Sequence, residues 1–254
     1  MNHKLALILA LALGSTAADL SFDRFLDRSS KAAERETAFL ASVACTETVV
    51  ETKIGIKNKP ESQSRRVFDY FVLVDTAGGD LSVNESRIEQ GKVKNSKQLL
   101  QSTGFALLSL IFHPCFQQSF TMTEEGMESM DKRVWHKVSF QYRPGKRSPT
   151  LLRTGAREYP ISWEGEAWLD EKTGRVGRIR ARVAAQLEEI GIKSMEADVR
   201  YGPAENLGST TEWAPLEALV DLQTAHQHWR NTHTFSNFRK FEVDTTEQRS
   251  NKPK

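Results

Sequence analysis

Three histidines near the C-terminal end of this 254-residue chain are the best candidates for metal chemistry: His226, His228 and His233. Residues two apart on a strand share a face, so His226 and His228 could present two imidazoles together, with His233 just beyond a turn. Three neutral imidazoles can bind Zn²⁺ and leave a fourth position for water, as a metal-dependent hydrolase requires. Arg230 would repel a cation there, so the sequence favours a solvated hairpin end without metal.

Composition and motif content argue against catalysis. Lys plus Arg total 35 and Asp plus Glu total 33, and this net charge of +2 gives no bias toward nucleic acid. The chain has no glycine-rich phosphate loop and no G-x-S-x-G, H-E-x-x-H or C-x-x-C motif. We therefore predict a protein that is not an enzyme, with no catalytic residue, no cofactor and no nucleic-acid partner.

The first 18 residues have the pattern of a secretory signal peptide. Lys4 gives a basic start, residues 5–13 are apolar, and residues 14–18 are small residues that precede a cleavage site. Nine apolar residues rise about 14 Å as a helix, less than the roughly 30 Å core of a membrane. We expect a periplasmic or secreted domain over residues 19–246, a flexible polar tail at 247–254 and no transmembrane span.

Export would place the two cysteines, Cys45 and Cys115, in an oxidising compartment. An even number of cysteines in an oxidising compartment predicts a disulfide between them. Two buried thiols are the alternative.

The hydrophobic pattern changes from a helical period to a strand period after about residue 40. Apolar residues from Phe22 to Leu40 recur at spacings of three and four, which predicts a helix capped by Ser21. Beyond it, period-two patterns predict antiparallel strands, with a turn at 78–80 and a last pair of strands at 216–229 and 234–243. We find no linker that would divide the chain, so we predict one α+β domain.

The hairpin at residues 163–183 can be given a register. A three-residue loop at 172–174, with Gly174 in the left-handed position, pairs Glu171 with Arg175. The pairs that follow are Glu164–Arg182, Glu166–Arg180 and Trp168–Arg178 on one face, and Trp163–Val183, Gly165–Ala181 and Ala167–Ile179 on the other. The stripe of Arg178, Arg180 and Arg182 is then a cross-strand charge ladder rather than an anion site.

An apolar segment at residues 104–112 is hydrophobic nearly all the way round. We predict a helix there, ended by His113–Pro114 and covered on more than one side. Its side chains and two aromatic residues on strands could line a pocket for an apolar ligand; the candidates are Phe71, Phe105, Leu108, Ile111, Phe112 and Trp163. The alternative is that these residues simply fill the core.

Two short motifs resemble those of a known family. Gly165-Glu166-Ala167-Trp168-Leu169-Asp170, then Thr173-Gly174 and Val176-x-Arg178-Ile179, resembles a hairpin of the outer-membrane lipoprotein-sorting proteins, the periplasmic carriers and receptors LolA and LolB. The end, His233-x-Phe235-Ser236-Asn237-Phe238-Arg239-Lys240-Phe241, is similar to the closing strand of secreted bacterial proteins with that architecture. The resemblance covers about residues 68–243.

The resemblance implies a curved, half-open antiparallel β-barrel. An N-terminal helix and a mid-chain apolar helix would lie on its concave side, around a cavity that receives acyl chains in the carriers. We therefore expect an envelope carrier or chaperone that binds an apolar or lipid-linked ligand, with another envelope protein as a further candidate partner. A metal-dependent hydrolase, or a structural envelope protein with a solid core, are the alternatives.

Overall fold

The computed structural model describes residues 6–76, 80–91, 104–130, 132–154, 157–184, 187, 191–205 and 212–241. Helix α1 (Ala6–Leu40) opens the chain, a 3₁₀ turn (Ile56–Asn58) follows the first strand, and a 3₁₀ helix (Leu108–Phe112) leads into the short helix α2 (Pro114–Gln117). The strands are β1 Val43–Ile54, β2 Pro60–Asp75, β3 Ser82–Glu89, β4 Phe120–Met130, β5 Arg133–Tyr142, β6 Leu151–Thr154, β7 Arg157–Pro160, β8 Trp163–Asp170, β9 Val176–Val183, β10 Ile192–Pro203, β11 Trp213–Thr224 and β12 His228–Lys240.

Ten of these strands form one antiparallel sheet in the order β3-β2-β1-β12-β11-β10-β9-β8-β5-β4. Strands β6 and β7 form a separate small hairpin. Because β3 and β4 are edges within the described part of the chain, the large sheet is open and curved, not a closed barrel. The predicted antiparallel architecture is therefore confirmed, in its coarse form.

The two faces of this sheet differ in what lies against them. The covered face carries the buried alternate residues, among them Val138, Trp163, Ile179 and Val199, and the helical elements pack on it. The open face carries charged residues such as Lys137, Glu164 and Arg182. This alternation is the period-two pattern of strands with one face on a core.

Helix α1 is longer than predicted. It runs from Ala6 without a break, so Ser21 lies inside the helix and does not cap it. No helix in the described ranges combines the length and the apolar character that crossing a membrane needs. The signal peptide and the tail at 247–254 stay predictions: residues 1–5, the side chains of residues 6–20 and the tail lie outside the description.

The hairpin of β8 and β9 has the predicted register at six pairs, from Trp163–Val183 to Trp168–Arg178. The predicted pair of Glu171 with Arg175 is wrong, because a bulge after Trp168 shifts the strands by one residue and Asp170 bonds to Arg175. Gly174 does take a positive φ of 71°. The predicted turn at 78–80 involves Gly78 and Gly79, which lie outside the described residues.

The apolar segment is buried as predicted, but only its second half, Leu108–Phe112, is helical, and this part is a 3₁₀ helix rather than an α-helix. Its backbone bonds run from Leu110 N–H to the Leu107 carbonyl and from His113 N–H to the Leu110 carbonyl. The N–H of Ser109 donates instead to the hydroxyl of Tyr201 on β10, 3.0 Å away. An α-helix over the whole of residues 104–112 would need that N–H for a bond to the Phe105 carbonyl, so this tertiary contact competes with the predicted helix.

Candidate functional site

Five of the six predicted pocket residues come together on the covered face. Phe105, Leu108, Ile111, Phe112 and Trp163 are each no more than 3% exposed. The Phe105 and Trp163 rings meet edge to face with centroids 6.0 Å apart. We call residues 104–113, which are all buried, the plug. In this structure the side chains of the plug pack directly against the side chains of the sheet.

The sixth residue, Phe71, does not join them. Tyr70 and Val72 of β2 are buried on the covered face, so the alternation of the strand puts Phe71 on the open face. Its ring lies 6.2 Å from that of Phe241. Since β2 is apolar on both faces, the sequence pattern alone could not assign the side on which Phe71 lies.

An amphipathic cleft of about 390 Å³ begins at the edge of the plug. Its walls come from the start of β3, the plug, α2 and the β6–β7 hairpin with its preceding loop, and the lining residues include Leu81, Val83, Gly104, Leu107, Phe116, Lys146, Arg147, Pro149, Leu151 and Pro160. Polar and apolar groups share the wall about equally: Ser82, Asn84 and Ser148 also line it, and Lys146 and Arg147 bring positive charge to its exposed rim.

Arg147 holds one side of the cleft in place. Its guanidinium donates to Asp80 Oδ1 at 2.9 Å and to the Leu81 carbonyl at 2.7 Å. The same group lies 5.3 Å from the ring centroid of Phe116 on α2. These contacts tie the loop before β6 to the start of β3 and to α2.

A buried polar link fastens the plug to α1 and to the sheet. Ser109 donates its hydroxyl to Glu36 Oε1 at 2.8 Å, while its N–H donates to Tyr201. Burial raises the pKa of Glu36 to about 8, and the hydrogen bond from Ser109 and the charge of Arg175 offset this only in part. Glu36 therefore holds its proton at neutral pH in the folded protein.

A second buried polar group lies at the other end of the covered face. We call Glu47 of β1, Tyr70 of β2, Glu85 and Arg87 of β3, and His233 of β12 the interior charge cluster. Glu47 is fully buried and accepts hydrogen bonds from Arg87 Nε at 2.5 Å, Arg87 Nη2 at 3.1 Å and His233 Nδ1 at 2.8 Å. Burial alone would raise the pKa of Glu47, but the bond from His233 and the charge of Arg87 outweigh it and lower that pKa.

The structure does not bring together the three histidines of the alternative zinc site. The turn between the last two strands falls at 225–227, not near residue 231, so β12 begins at His228. His226 is exposed in the turn, His228 lies 2.6 Å from Asp221, and His233 bonds to Glu47 on the covered face. His228 and His233 are five residues apart on one strand and so lie on opposite faces. Within the described residues no group of three ligands could hold a metal ion.

The predicted disulfide is not formed in this structure, in which Cys45 and Cys115 are free thiols. Cys45 is buried on the covered face of β1, and Cys115 is exposed in the first turn of α2. Burial, and next the charge of Glu47, raise the pKa of Cys45 to about 12. A thiol in that environment is a poor nucleophile.

The open face carries a wide charged groove of about 970 Å³ across β4, β5 and β8–β12. Its arginines are paired, but not all as predicted. Arg182 contacts Glu164 at 2.7 Å, whereas Arg178 and Arg180 both contact Asp198 of β10. Glu166 contacts Lys137 of β5 instead of Arg180. The charge ladder thus spans four strands, and the stripe of arginines has its charge compensated.

Comparisons with known proteins add structures but no close relative. No protein-family model and no curated protein matches the chain. A crystal structure of a DUF1329 family protein from Desulfovibrio piger is similar, with 10% identity and a TM-score of 0.44, over 85% of this chain and 92% of that one. A LolA superfamily protein from Nitrosomonas europaea matches with 8% identity and a TM-score of 0.44, over 87% and 94%.

A third similar structure is a putative outer membrane lipoprotein-sorting protein domain from Vibrio parahaemolyticus. It has 9% identity and a TM-score of 0.43, over 86% of this chain and 95% of that one. LolA-like proteins are thus among the structures to which this chain is similar, as the hairpin motif predicted. Likeness at these identities and TM-scores says nothing about a ligand or an activity, which must be argued from the site.

Proposed function

We propose that this protein is a non-catalytic carrier or chaperone of the cell envelope, and that the apolar chain of a lipid-like ligand enters the cleft beside the plug. The observation that supports this most directly is the cleft itself. Its apolar wall at Leu81, Val83 and Leu107 continues into the buried plug, while its rim carries Lys146 and Arg147. A continuous apolar strip beside polar and charged groups suits a ligand that has an apolar chain and a polar end.

The size of the cleft suits the end of an apolar chain. A volume of about 390 Å³ lies within the range of roughly 300–1,000 Å³ for ligand pockets. Each methylene that leaves water contributes about 0.8 kcal/mol, so about eight methylenes would provide roughly 6 kcal/mol before the cost of association. A longer chain needs more space than the cleft provides.

The plug is the element whose displacement would provide that space. It begins at Gly104, whose φ of 101° suits a bend, and it ends before Pro114. Its polar attachments include the link through Ser109 to Glu36 and Tyr201. Displacement would open the surface of Phe105, Leu108, Ile111, Phe112 and Trp163 to the ligand. Phe71 lies on the opposite face and has no part in this proposal.

A pair of matched substitutions tests the cleft. Val83 is partly buried in the cleft wall, and Val134 of β5 is 43% exposed and lies away from it. We expect the mature protein to bind the neutral apolar dye N-phenyl-1-naphthylamine, with a rise in fluorescence. Val83→Trp should fill the cleft and weaken binding about tenfold or more, since it excludes several methylene-sized groups. Val134→Trp should bind as the wild type does.

Circular dichroism would establish that both variants are folded. Equal dye affinity in the wild type and Val83→Trp would contradict the assignment of the cleft.

The full burial of the plug side chains favours one alternative, a structural envelope protein with a solid core. Under that alternative the folded wild type binds neither the dye nor any other amphiphile. The same titration therefore separates the two functions.

A further inference from the structure

Glu85 is a buried carboxylate without a hydrogen bond. Its side chain is 1% exposed, and neither oxygen has a hydrogen-bond partner. Arg87 Nη2 lies 3.1 Å from Glu85 Oε2, but the same guanidinium already donates to Glu47 through two nitrogens. Buried carboxylates normally accept hydrogen bonds from several donors. Glu85 is an exception, because it accepts none.

The Tyr70 hydroxyl lies in the same region and also has no partner. Tyr70 is 2% exposed, and its ring faces are in contact with the Arg87 guanidinium at 5.4 Å and the edge of Phe235 at 5.2 Å. Burial raises the pKa of Tyr70, and the next largest cause is the charge of Glu85. The orphan hydroxyl and the orphan carboxylate are therefore close enough to interact through their charges.

The charge balance of the interior charge cluster limits what could satisfy these atoms. Glu47 and Glu85 bring two negative charges and Arg87 brings one positive charge, so the carboxylates of the cluster outnumber its guanidinium. An anionic ligand would be repelled. A metal ion is not favoured, since no described group of three ligands is arranged for one. A primary ammonium brings one positive charge and three N–H donors, which match acceptors on Glu85 and Tyr70.

The register of β3 connects this region to the cleft. Val83, Glu85 and Arg87 pair with Val74, Val72 and Tyr70 of β2, and all six residues lie on the covered face. Val83 lines the cleft, and Glu85 is two residues further along the strand, about 7 Å away. A ligand whose chain lies against Val83 can therefore place a terminal group at Glu85.

We propose that Glu85 and Tyr70 form a binding site for the primary ammonium group of an amphiphile whose apolar chain occupies the cleft. The inference rests on the proposed function, because it names the head group of the same ligand. Glu47 and Arg87 position the site: they form their own buried pair and leave Glu85 free to accept from the ligand.

Competition between amphiphiles of equal chain length tests the head group. Dodecylammonium, dodecyltrimethylammonium and dodecanol would each displace N-phenyl-1-naphthylamine from the wild type at pH 7, with the two cations below their micellar concentrations and dodecanol below its solubility limit. We expect dodecylammonium to displace the dye at a concentration about tenfold or more below that of dodecanol, because hydrogen bonds to charged groups are strong. Dodecyltrimethylammonium, which has the charge without N–H donors, should be weaker than dodecylammonium.

Two variants and one control test which residues cause the preference for dodecylammonium over dodecanol. Glu85→Gln should reduce the advantage of dodecylammonium over dodecanol to about threefold or less and leave dodecanol unchanged. Tyr70→Phe should reduce it by a smaller factor. Glu196→Gln, which removes an exposed carboxylate from β10, should keep the full advantage.

Each remaining outcome counts against a specific part of the proposal. Equal displacement by dodecylammonium and dodecanol would overturn the ammonium site and leave the apolar cleft intact. An advantage that survives Glu85→Gln would overturn the assignment to Glu85. Failure of the dye and of all three amphiphiles to bind the folded protein would overturn the proposed function and this inference together.

Discussion

The covered face of the sheet has two halves that bury very different side chains. Under the plug, strands β5, β8, β9 and β10 present apolar groups such as Val138, Trp163 and Ile179, which are fully buried. At the other end, β1, β2, β3 and β12 present the interior charge cluster, in which Glu47 is equally buried. The same backbone geometry thus supports both a close-packed apolar half and a polar half.

The difference between the halves lies in how specific their interactions must be. Apolar packing is roughly proportional to buried area and needs no particular partner. A buried carboxylate needs defined donors, which Glu47 has and Glu85 lacks. The apolar half therefore stabilises the fold, and the polar half holds the group that we propose receives a ligand.

The largest loss of stability should come from truncation in the apolar half. Phe112 is fully buried, and its ring centroid lies 6.4 Å from that of Phe140. Phe112→Ala should lower the free energy of unfolding by about 3–5 kcal/mol, measured by urea denaturation. Phe241→Ala, at a 47% exposed position, is the control and should cost less than about 1 kcal/mol. Similar losses in both variants would show that the plug is not close-packed.

Removal of the charge of Glu47 tests the satisfied part of the polar half. Glu47→Gln should destabilise the protein by about 3 kcal/mol, because it removes the carboxylate to which Arg87 donates through two nitrogens and leaves Arg87 with the contact to Glu85 alone. Glu217→Gln is the control, since its contact with Arg200 is 3.8 Å long and exposed to solvent. A loss below about 1 kcal/mol for Glu47→Gln would mean that the existing contact with Glu85 is sufficient for the charge of Arg87.

The pH dependence of stability tests the buried link at Glu36. The folded pKa of about 8 lies above the unfolded value of about 4.3, so the folded state binds the proton more tightly. Stability gained from this group is full below about pH 4 and is lost as the pH rises toward 8. Between pH 5 and pH 7 the wild type should lose about 2–3 kcal/mol relative to Glu36→Gln. A difference that does not change with pH would show that Glu36 is ionised in the folded protein.

The smallest effect has the opposite sign to that of Glu47. Without ligand, Glu85→Gln should stabilise the protein by about 1 kcal/mol, because an amide costs less to bury without hydrogen bonds than a carboxylate does. Urea denaturation of Glu85→Gln and Glu47→Gln side by side would measure the contrast. Destabilisation by Glu85→Gln would indicate that Arg87 depends on Glu85 as well as on Glu47.

The features predicted best from the sequence are those that two independent local patterns determine. The β8–β9 hairpin has its register fixed on both faces, and six of its pairs were predicted correctly. The plug was predicted as buried from its apolar composition. Its departure from an α-helix was not, because the contact that competes with that helix comes from Tyr201, which is 92 residues from Ser109 in the chain.

The polar half could not be predicted because its contacts are distant in sequence. Glu47 meets Arg87 across 40 residues and His233 across 186, and only the strand order brings them together. Glu36 did carry a signal, since it lies three residues after Ala33 and four before Leu40 on the buried helix face. The histidines were misjudged because the last turn was placed about five residues too late.

Native mass spectrometry of the mature protein, purified gently and without detergent, tests the central claim most directly. We predict one amphiphile bound per chain in the wild type and in Val134→Trp, and its loss in Val83→Trp. A wild-type protein that shows only the mass of the bare chain, and gains none on incubation with dodecylammonium, would contradict the claim that the cleft beside the plug holds an apolar chain.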